Sequence, residues 1–230
     1  VSAIRTGRES AAAVTYVDSI SVQGNIPTGI AFNTDGTKMF VTNVTNDDID
    51  EYTLSTGFDV STASYDSNFS VASQDGGPQG IAFNTNGTKM FIGGKDNGKV
   101  FEYTLSTGFD VSTASFVDGF SISSQETHIS DLAFSTDGTK MFIVGTNSKS
   151  VFEYNLSTGF DVSTASYVDG FSVSSQETLP TGLEFSADGK RMFITGNNGD
   201  DVTEYKLTTA FDVSTACLLY TSPSPRDGSE

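Results

Sequence analysis

The 230 residues contain no Trp, one Cys, one His, five Pro and only 12 Lys and Arg, and each scarcity excludes something. A single cysteine, Cys217, permits neither a disulfide framework nor a thiolate metal centre. Twelve basic residues against 29 acidic ones leave a net charge of -17. That balance argues against binding nucleic acid or an anionic membrane surface, because both need a positive face. No run of about 18 apolar residues occurs, so no helix is expected to span a bilayer. No segment keeps a 3.6-residue apolar period long enough for a core helix, which disfavours helical and α/β architectures. The motifs G-x-S-x-G and H-E-x-x-H and a phosphate-binding glycine loop are missing too. What the chain does have is 23 Gly, 18 Phe and 36% hydrophobic residues, enough for a sizeable core broken by many turns.

Sliding the chain against itself gives a period of 51 residues: GIAFNTDGTKMF at Gly29, GIAFNTNGTKMF at Gly80, DLAFSTDGTKMF at Asp131 and GLEFSADGKRMF at Gly182. A second block keeps the same step, beginning at Glu51, Glu102, Glu153 and Glu204 and reading EYTLSTGFDVSTAS in its first two copies. Fixed periods of this size mean stacked or ringed copies of one supersecondary unit.

Each unit reads as four short strands. Ile30 to Phe32 and Lys38 to Thr42 flank Asp35-Gly36, a hairpin signal in which glycine supplies left-handed backbone, so Gly36, Gly87, Gly138 and Gly189 are expected at positive φ. Val100 to Leu105 carries apolar side chains on both faces, as a sheet packed on both sides requires. The fourth strand is expected at Tyr167 to Val173, matched by Phe116 to Ile122, Tyr65 to Val71 and, ahead of the first unit, Tyr16 to Val22. Before it, Asp59, Asp110 and Asp161 stand ready to cap a single helical turn, with Phe58, Phe109, Phe160 and Phe211 pinning that connector to the sheet. The recurring Glu51, Glu102, Glu153 and Glu204 need a partner such as a Lys or Thr of the neighbouring strand, because a buried unpaired carboxylate is costly.

Four antiparallel strands per copy describe a blade of an all-β β-propeller, in which small sheets avoid long exposed edges. The blades occupy 14–216, with units at about 24–74, 75–125, 126–176 and 177–216. Two arrangements fit: a closed four-bladed ring, with Tyr16 to Val22 completing the last blade, or a fragment of a larger propeller.

The segment Pro27 to Asn43, PTGIAFNTDGTKMFVTN, resembles the opening of YVTN-type bacterial propeller repeats, and the likeness covers roughly the first half of each unit. It implies the blade and leaves function open, since similar propellers include surface-layer proteins, binding scaffolds and lactonases. Sialidase-type Asp-boxes and WD repeats are not matched: Asp137 and Gly138 are adjacent with no Trp after them, and the comparable strand carries Glu-Tyr. After Ala216 the chain reads CLLYTSPSPRD, which resembles the translation of a transposon-derived sequencing adapter, so 217–230 is set aside. Residues 1–13 are read as disordered or foreign, and the chain as part of a longer reading frame.

Comparing the four units locates where function is expected. The turn after strand one and the connector after strand three barely change, whereas the turn after strand two and the link to the next blade vary freely. In an up-and-down blade the two variable loops share one face of the disc, and variable loops on a rigid scaffold carry specificity. The candidate binding residues there are Asp47, Asp48, Asp96, Asn97, Asn147, Asn198, Asp200 and Asp201. Their oxygens suit calcium, which takes six to eight such ligands, although no D-x-D-x-D-G loop is present. Candidates for catalysis are His128, the lone histidine, Asp131, which replaces the Gly of the other units, and Glu184, which replaces Ala31, Ala82 and Ala133. Near the axis these could serve as general base and metal ligands, as in gluconolactonase-like propellers.

The resulting expectation is a non-catalytic scaffold, extracellular or on a cell or virion surface, binding a protein or glycan through its variable face. The alternative is a metal-assisted hydrolase of the lactonase type.

Overall fold

The computed structural model describes residues 16–199 and 201–218. Blade one holds β1 (Pro27–Phe32), β2 (Lys38–Asn43), β3 (Asp48–Leu54) and β4 (Ala63–Ser70). Blade two holds β5 (Pro78–Phe83), β6 (Lys89–Gly94), β7 (Lys99–Leu105) and β8 (Ala114–Ser121). Blade three holds β9 (Ile129–Phe134), β10 (Lys140–Gly145), β11 (Ser150–Leu156) and β12 (Ala165–Ser172). Blade four holds β13 (Pro180–Phe185), β14 (Arg191–Gly196), β15 (Val202–Leu207) and β16 (Ala216–Leu218). Each blade is one antiparallel sheet with its strands in chain order, and the whole is an all-β, four-bladed propeller arrangement. Among the described residues the only helical elements are single 3-10 turns before each fourth strand.

Local chemistry explains these elements. Gly36, Gly87, Gly138 and Gly189 have φ of 66–72°, the left-handed backbone that closes each first hairpin. Over each glycine lies the phenylalanine of the connector: Phe109 donates its N–H to the Gly87 carbonyl at 3.0 Å, and its ring lies 5.4 Å from that of Phe83. Asp110 then caps the 3-10 turn, its carboxylate accepting from Ser112 N at 3.1 Å and Ser112 Oγ at 2.6 Å. Asp59, Asp161 and Asp212 do the same.

Blades pack face to face, with the leading face of each receiving the trailing face of the one before. Phe40, Ile49 and Val71 of blade one bury against Ile81, Met90, Tyr103, Leu105 and Val111 of blade two, and equivalent clusters join blades two to three and three to four. The recurring glutamates lock these contacts. Glu102 binds Lys89 of the neighbouring strand at 2.6 Å, and its other oxygen accepts from Val162 N of the next blade at 3.0 Å. Glu51 and Glu153 repeat the bridge, to Lys38 and Val111 N and to Lys140 and Val213 N.

The innermost strands touch in succession, β1 to β5 to β9 to β13, and no contact of comparable extent returns from β13 to β1. Among the described residues the four blades therefore form an arc with two open faces. Tyr16 to Val22, expected as a fourth strand, joins no sheet: the edge it would take belongs to blade four, at the far end of the arc. It lies instead on blade one, where Ile20 and Val22 pack against the cluster of Met39, Val41, Tyr52 and Leu54. β4, β8 and β12 begin two residues before, and end one residue before, the expected bounds, since pairing starts directly after the 3-10 turn, and each carries a bulge opposite Glu51, Glu102 or Glu153. Cys217 and Leu218, set aside in the sequence reading, pair with Lys206 and Tyr205 in β16. The segments 1–13 and 219–230 lie outside the described residues.

Candidate functional site

The variable loops share one face, as the blade order dictates. Asn97, in the turn after β6, donates to the Gln74 carbonyl of the preceding link at 2.7 Å, and Asn147 and Asn198 reach Thr127 Oγ1 and Thr178 Oγ1 at 2.9 and 2.7 Å. Beneath them lie three buried carboxylates that sequence reasoning missed. Glu126 accepts from Thr127 N and His128 N with one oxygen, and from Ser148 N and Ser148 Oγ with the other. Glu177 accepts from Leu179 N and Asn198 N, and from Gly199 N at 2.8 Å. Burial opposes its charge, yet these N–H donors hold its carboxyl below the ordinary glutamate value. Asp75 accepts from Gly77 N at 2.8 Å, and burial raises its pKa. Glu126 and Glu177 each tie a link to the turn beside it, whereas the bond of Asp75 stays within its own link.

A sequence signal for these acids exists. A Cβ on Gly145 would meet Glu126 Cγ at 2.2 Å, and Gly94 and Gly196 stand in the same relation to Asp75 and Glu177. In blade one the pair is inverted: Asn43 occupies the strand end and Gly24 the link, where a Cβ would meet Asn43 Nδ2 at 1.6 Å.

The eight expected binding residues divide. Asp96, Asn97, Asn147, Asn198 and Asp201 are exposed on the variable face. Asp200 lies outside the described residues. Asp47 is half-buried at φ 52°. Asp48 is not in an open turn: it opens β3, is buried on the leading face and accepts from Asn68 Nδ2 at 2.7 Å. Asp50 is buried beside it, where Phe101 and Phe152 stand in blades two and three, and burial reinforced by the Asp48 charge pushes its carboxyl up to about 6. Among the described residues Asp47 Oδ1, Asp48 Oδ1 and Asp50 Oδ2 have no hydrogen-bond partner. Among the described residues no three His, Cys, Asp or Glu side chains converge well enough to hold a metal ion.

Toward the axis, Asp131 bridges two inner strands. One oxygen accepts from Leu132 N and the other from Leu183 N, both at 2.9 Å. Burial outweighs these bonds and raises its carboxyl to about 7, with the Glu184 charge adding to the rise. Glu184 borders a cleft of about 460 Å3 lined by Ala82, Phe83, Ala133 and Phe134. It is exposed at the cleft mouth, and partial desolvation by the cleft walls raises its pKa. His128 is half-buried on the variable face, and among the described residues no side-chain hydrogen bond joins it to Asp131 or Glu184. Two of the three catalytic candidates are thus neighbours and the third stands apart.

No protein-family model matches the chain, and no curated protein does. Solved structures do. A protein from Lactobacillus plantarum aligns over 84% of this chain and 54% of its own, with 15% identity and a TM-score of 0.59. The periplasmic gluconolactonase PpgL of Pseudomonas aeruginosa aligns over 84% and 52%, with 14% identity and a TM-score of 0.53. A chain of a nidogen/laminin complex aligns over 81% and 62%, with 14% identity and a TM-score of 0.54. The chain spans 52–62% of the length of these structures. At such identities the likeness concerns the fold alone.

Proposed function

We propose that the chain is a non-catalytic propeller scaffold that binds a protein or glycan through its variable-loop face, in an extracellular or cell- or virion-surface setting. The observation that carries this reading is the pinning of that face. Glu126 and Glu177 hold the loop backbones from beneath with seven hydrogen bonds between backbone N–H or Ser148 Oγ and carboxylate, while the exposed tips differ between blades. Rigid loops lose little entropy on binding, and varied tips supply specificity. The nidogen/laminin likeness is consistent with protein binding on such a fold. Calcium is the cation these oxygen-rich turns suit, with backbone carbonyls completing the shell.

The second reading, a lactonase-type hydrolase, draws on the adjacent carboxyls Asp131 and Glu184 and the likeness to a gluconolactonase. Glycan and surface-protein arrays probed with the chain, with and without calcium, test the first reading. Asp96→Ala with Asn97→Ala and Asp201→Ala should abolish the signal while circular dichroism stays unchanged. Lactone hydrolysis lost on Glu184→Gln, with no array signal, would replace that reading by the second.

A further inference from the structure

Three blade–blade interfaces repeat the same contacts, and the two halves of a fourth lie open at opposite ends of the arc. In the three formed interfaces a phenylalanine of the trailing face meets one ring of the next blade: Phe40 to Phe83, Phe91 to Phe134 and Phe142 to Phe185, with centroids 4.4–4.5 Å apart. Blade four carries the next phenylalanine of this series, Phe193, and blade one carries the receiving ring, Phe32, tilted against Phe58 with centroids 5.5 Å apart.

The remaining groups are left over in the same register. Val202 is 63% exposed where Ile49, Val100 and Val151 are fully buried, and Ile30 is 60% exposed where Ile81, Leu132 and Leu183 are buried. The Glu204 side chain is 32% exposed where those of Glu51, Glu102 and Glu153 are at most 3%. The donor it lacks corresponds to Val60 N, since Val111 N, Val162 N and Val213 N serve the other three. The basic side chain follows suit. Lys89 and Lys140 donate to the Phe160 and Phe211 carbonyls of the next blade, which makes Phe58 O the counterpart for Arg191. A cleft of about 340 Å3 on blade one, bordered by Ile30, Met39, Val41 and Val60, marks the empty socket.

We propose that these faces are the two halves of one interface, joined in solution between two copies of the chain. Blade four of each copy docks on blade one of the other, head to tail, and the two arcs close a ring of eight blades about a two-fold axis. A contact between unlike faces propagates unless its rotation closes. Two arcs supply eight blades, within the usual range of such rings. Two acids, Asp48 and Asp50, intrude on the receiving face, and the counterpart of Asp50 in the formed interface of blade four is the polar Thr203. Tyr16 to Val22 already lies on blade one with Gln23 N bonded to Tyr52 Oη at 2.7 Å, beside the place where the partner's last blade would arrive.

The 230-residue chain, followed by sedimentation equilibrium from nanomolar to high micromolar concentration, tests this. The expected mass is twice 24.3 kDa. Val202→Glu and Ile30→Glu alter exposed side chains and should each halve that mass with the β circular-dichroism spectrum intact. Mixed in equal amounts, the two variants should regain the dimer mass, because one of the two unlike contacts is then intact. A wild-type monomer at every concentration, open-ended polymers, or a mixture that stays monomeric would each overturn the proposal. So would a dimer that survives either substitution, since like faces would then be in contact.

Discussion

Gly87→Ala puts the blade hairpin under direct test. Gly87 sits at φ 71°, so any side chain there adopts left-handed backbone, which costs about 1–2 kcal/mol for an ordinary residue. A Cβ would in addition meet Phe109 Cδ2 at 2.3 Å, far inside contact distance. The ring is held on several sides. Its own residue stands at φ 59°, its N–H is bonded to Gly87 O, and its ring lies 5.4 Å from Phe83 and 6.3 Å from Phe40 of the preceding blade. Displacing it adds about 1–3 kcal/mol of overpacking, for a total of about 2–5 kcal/mol. Gly98→Ala separates the two contributions, because Gly98 has φ 55° but its nearest Cβ contact is at 3.1 Å; it should lose only about 1–2 kcal/mol. Urea titration of the single variants, and of Gly87→Ala combined with Phe109→Ala, reads the result. The double variant should show coupling of about 1–3 kcal/mol between the two sites. Equal losses for Gly87→Ala and Gly98→Ala, or strict additivity with Phe109→Ala, would refute the account of the ring as a lid over the turn.

Two further outcomes follow from the buried carboxylates. Glu153→Ala should cost about 3–5 kcal/mol in urea titration, because it strands Lys140 and leaves Val213 N without its acceptor; Glu153→Gln, which keeps a carbonyl oxygen, should cost clearly less, and equal costs would deny the bridge to the next blade. Asp131 holds its proton up to about 7 in the folded chain against an ordinary 3.8, so the stability it lends is complete below the lower value and is lost as pH rises through the higher one. The difference between wild-type and Asp131→Asn stability should therefore shift with pH across that window by up to about 4 kcal/mol, and parallel curves would contradict the raised value.

Much of the blade was legible because its determinants are local. Asp-Gly turns, Asp caps and the connector phenylalanines act within a few residues of themselves, and the strict repeat multiplies each signal. The Glu–Lys bridge was legible for another reason: Glu102 and Lys89 lie on paired strands, where a buried carboxylate has few partners to choose from. What escaped the sequence depends on neighbours far along the chain. Asp75, Glu126 and Glu177 looked like part of a variable link, since Asp and Glu differ in reach, and their tie to Gly94, Gly145 and Gly196 emerges only when loops about 20 residues apart meet. Asp48 read as a turn residue because turns favour Asp, yet β3 begins at Asp48 and turns it inward beside Asp50. The arc itself could not be read, because a period fixes the unit and leaves open the angle between units.

Identical repeats also change how departures from the pattern should be weighed. Glu51 and Glu204 have the same sequence role but different surroundings, so one is buried in a bridge and the other half-open. A side chain's chemistry is set by what the next blade brings to it. By the same logic Asp131, unusual in sequence, is already committed: both its oxygens hold backbone N–H groups of inner strands, and a carboxylate so engaged makes a poor ligand or base. Glu184 is the freer of the two, with only one oxygen engaged, by Phe185 N at 3.2 Å. Any chemistry in the axial cleft must therefore run through Glu184, while Asp131 sets the spacing of β9 and β13 that positions it.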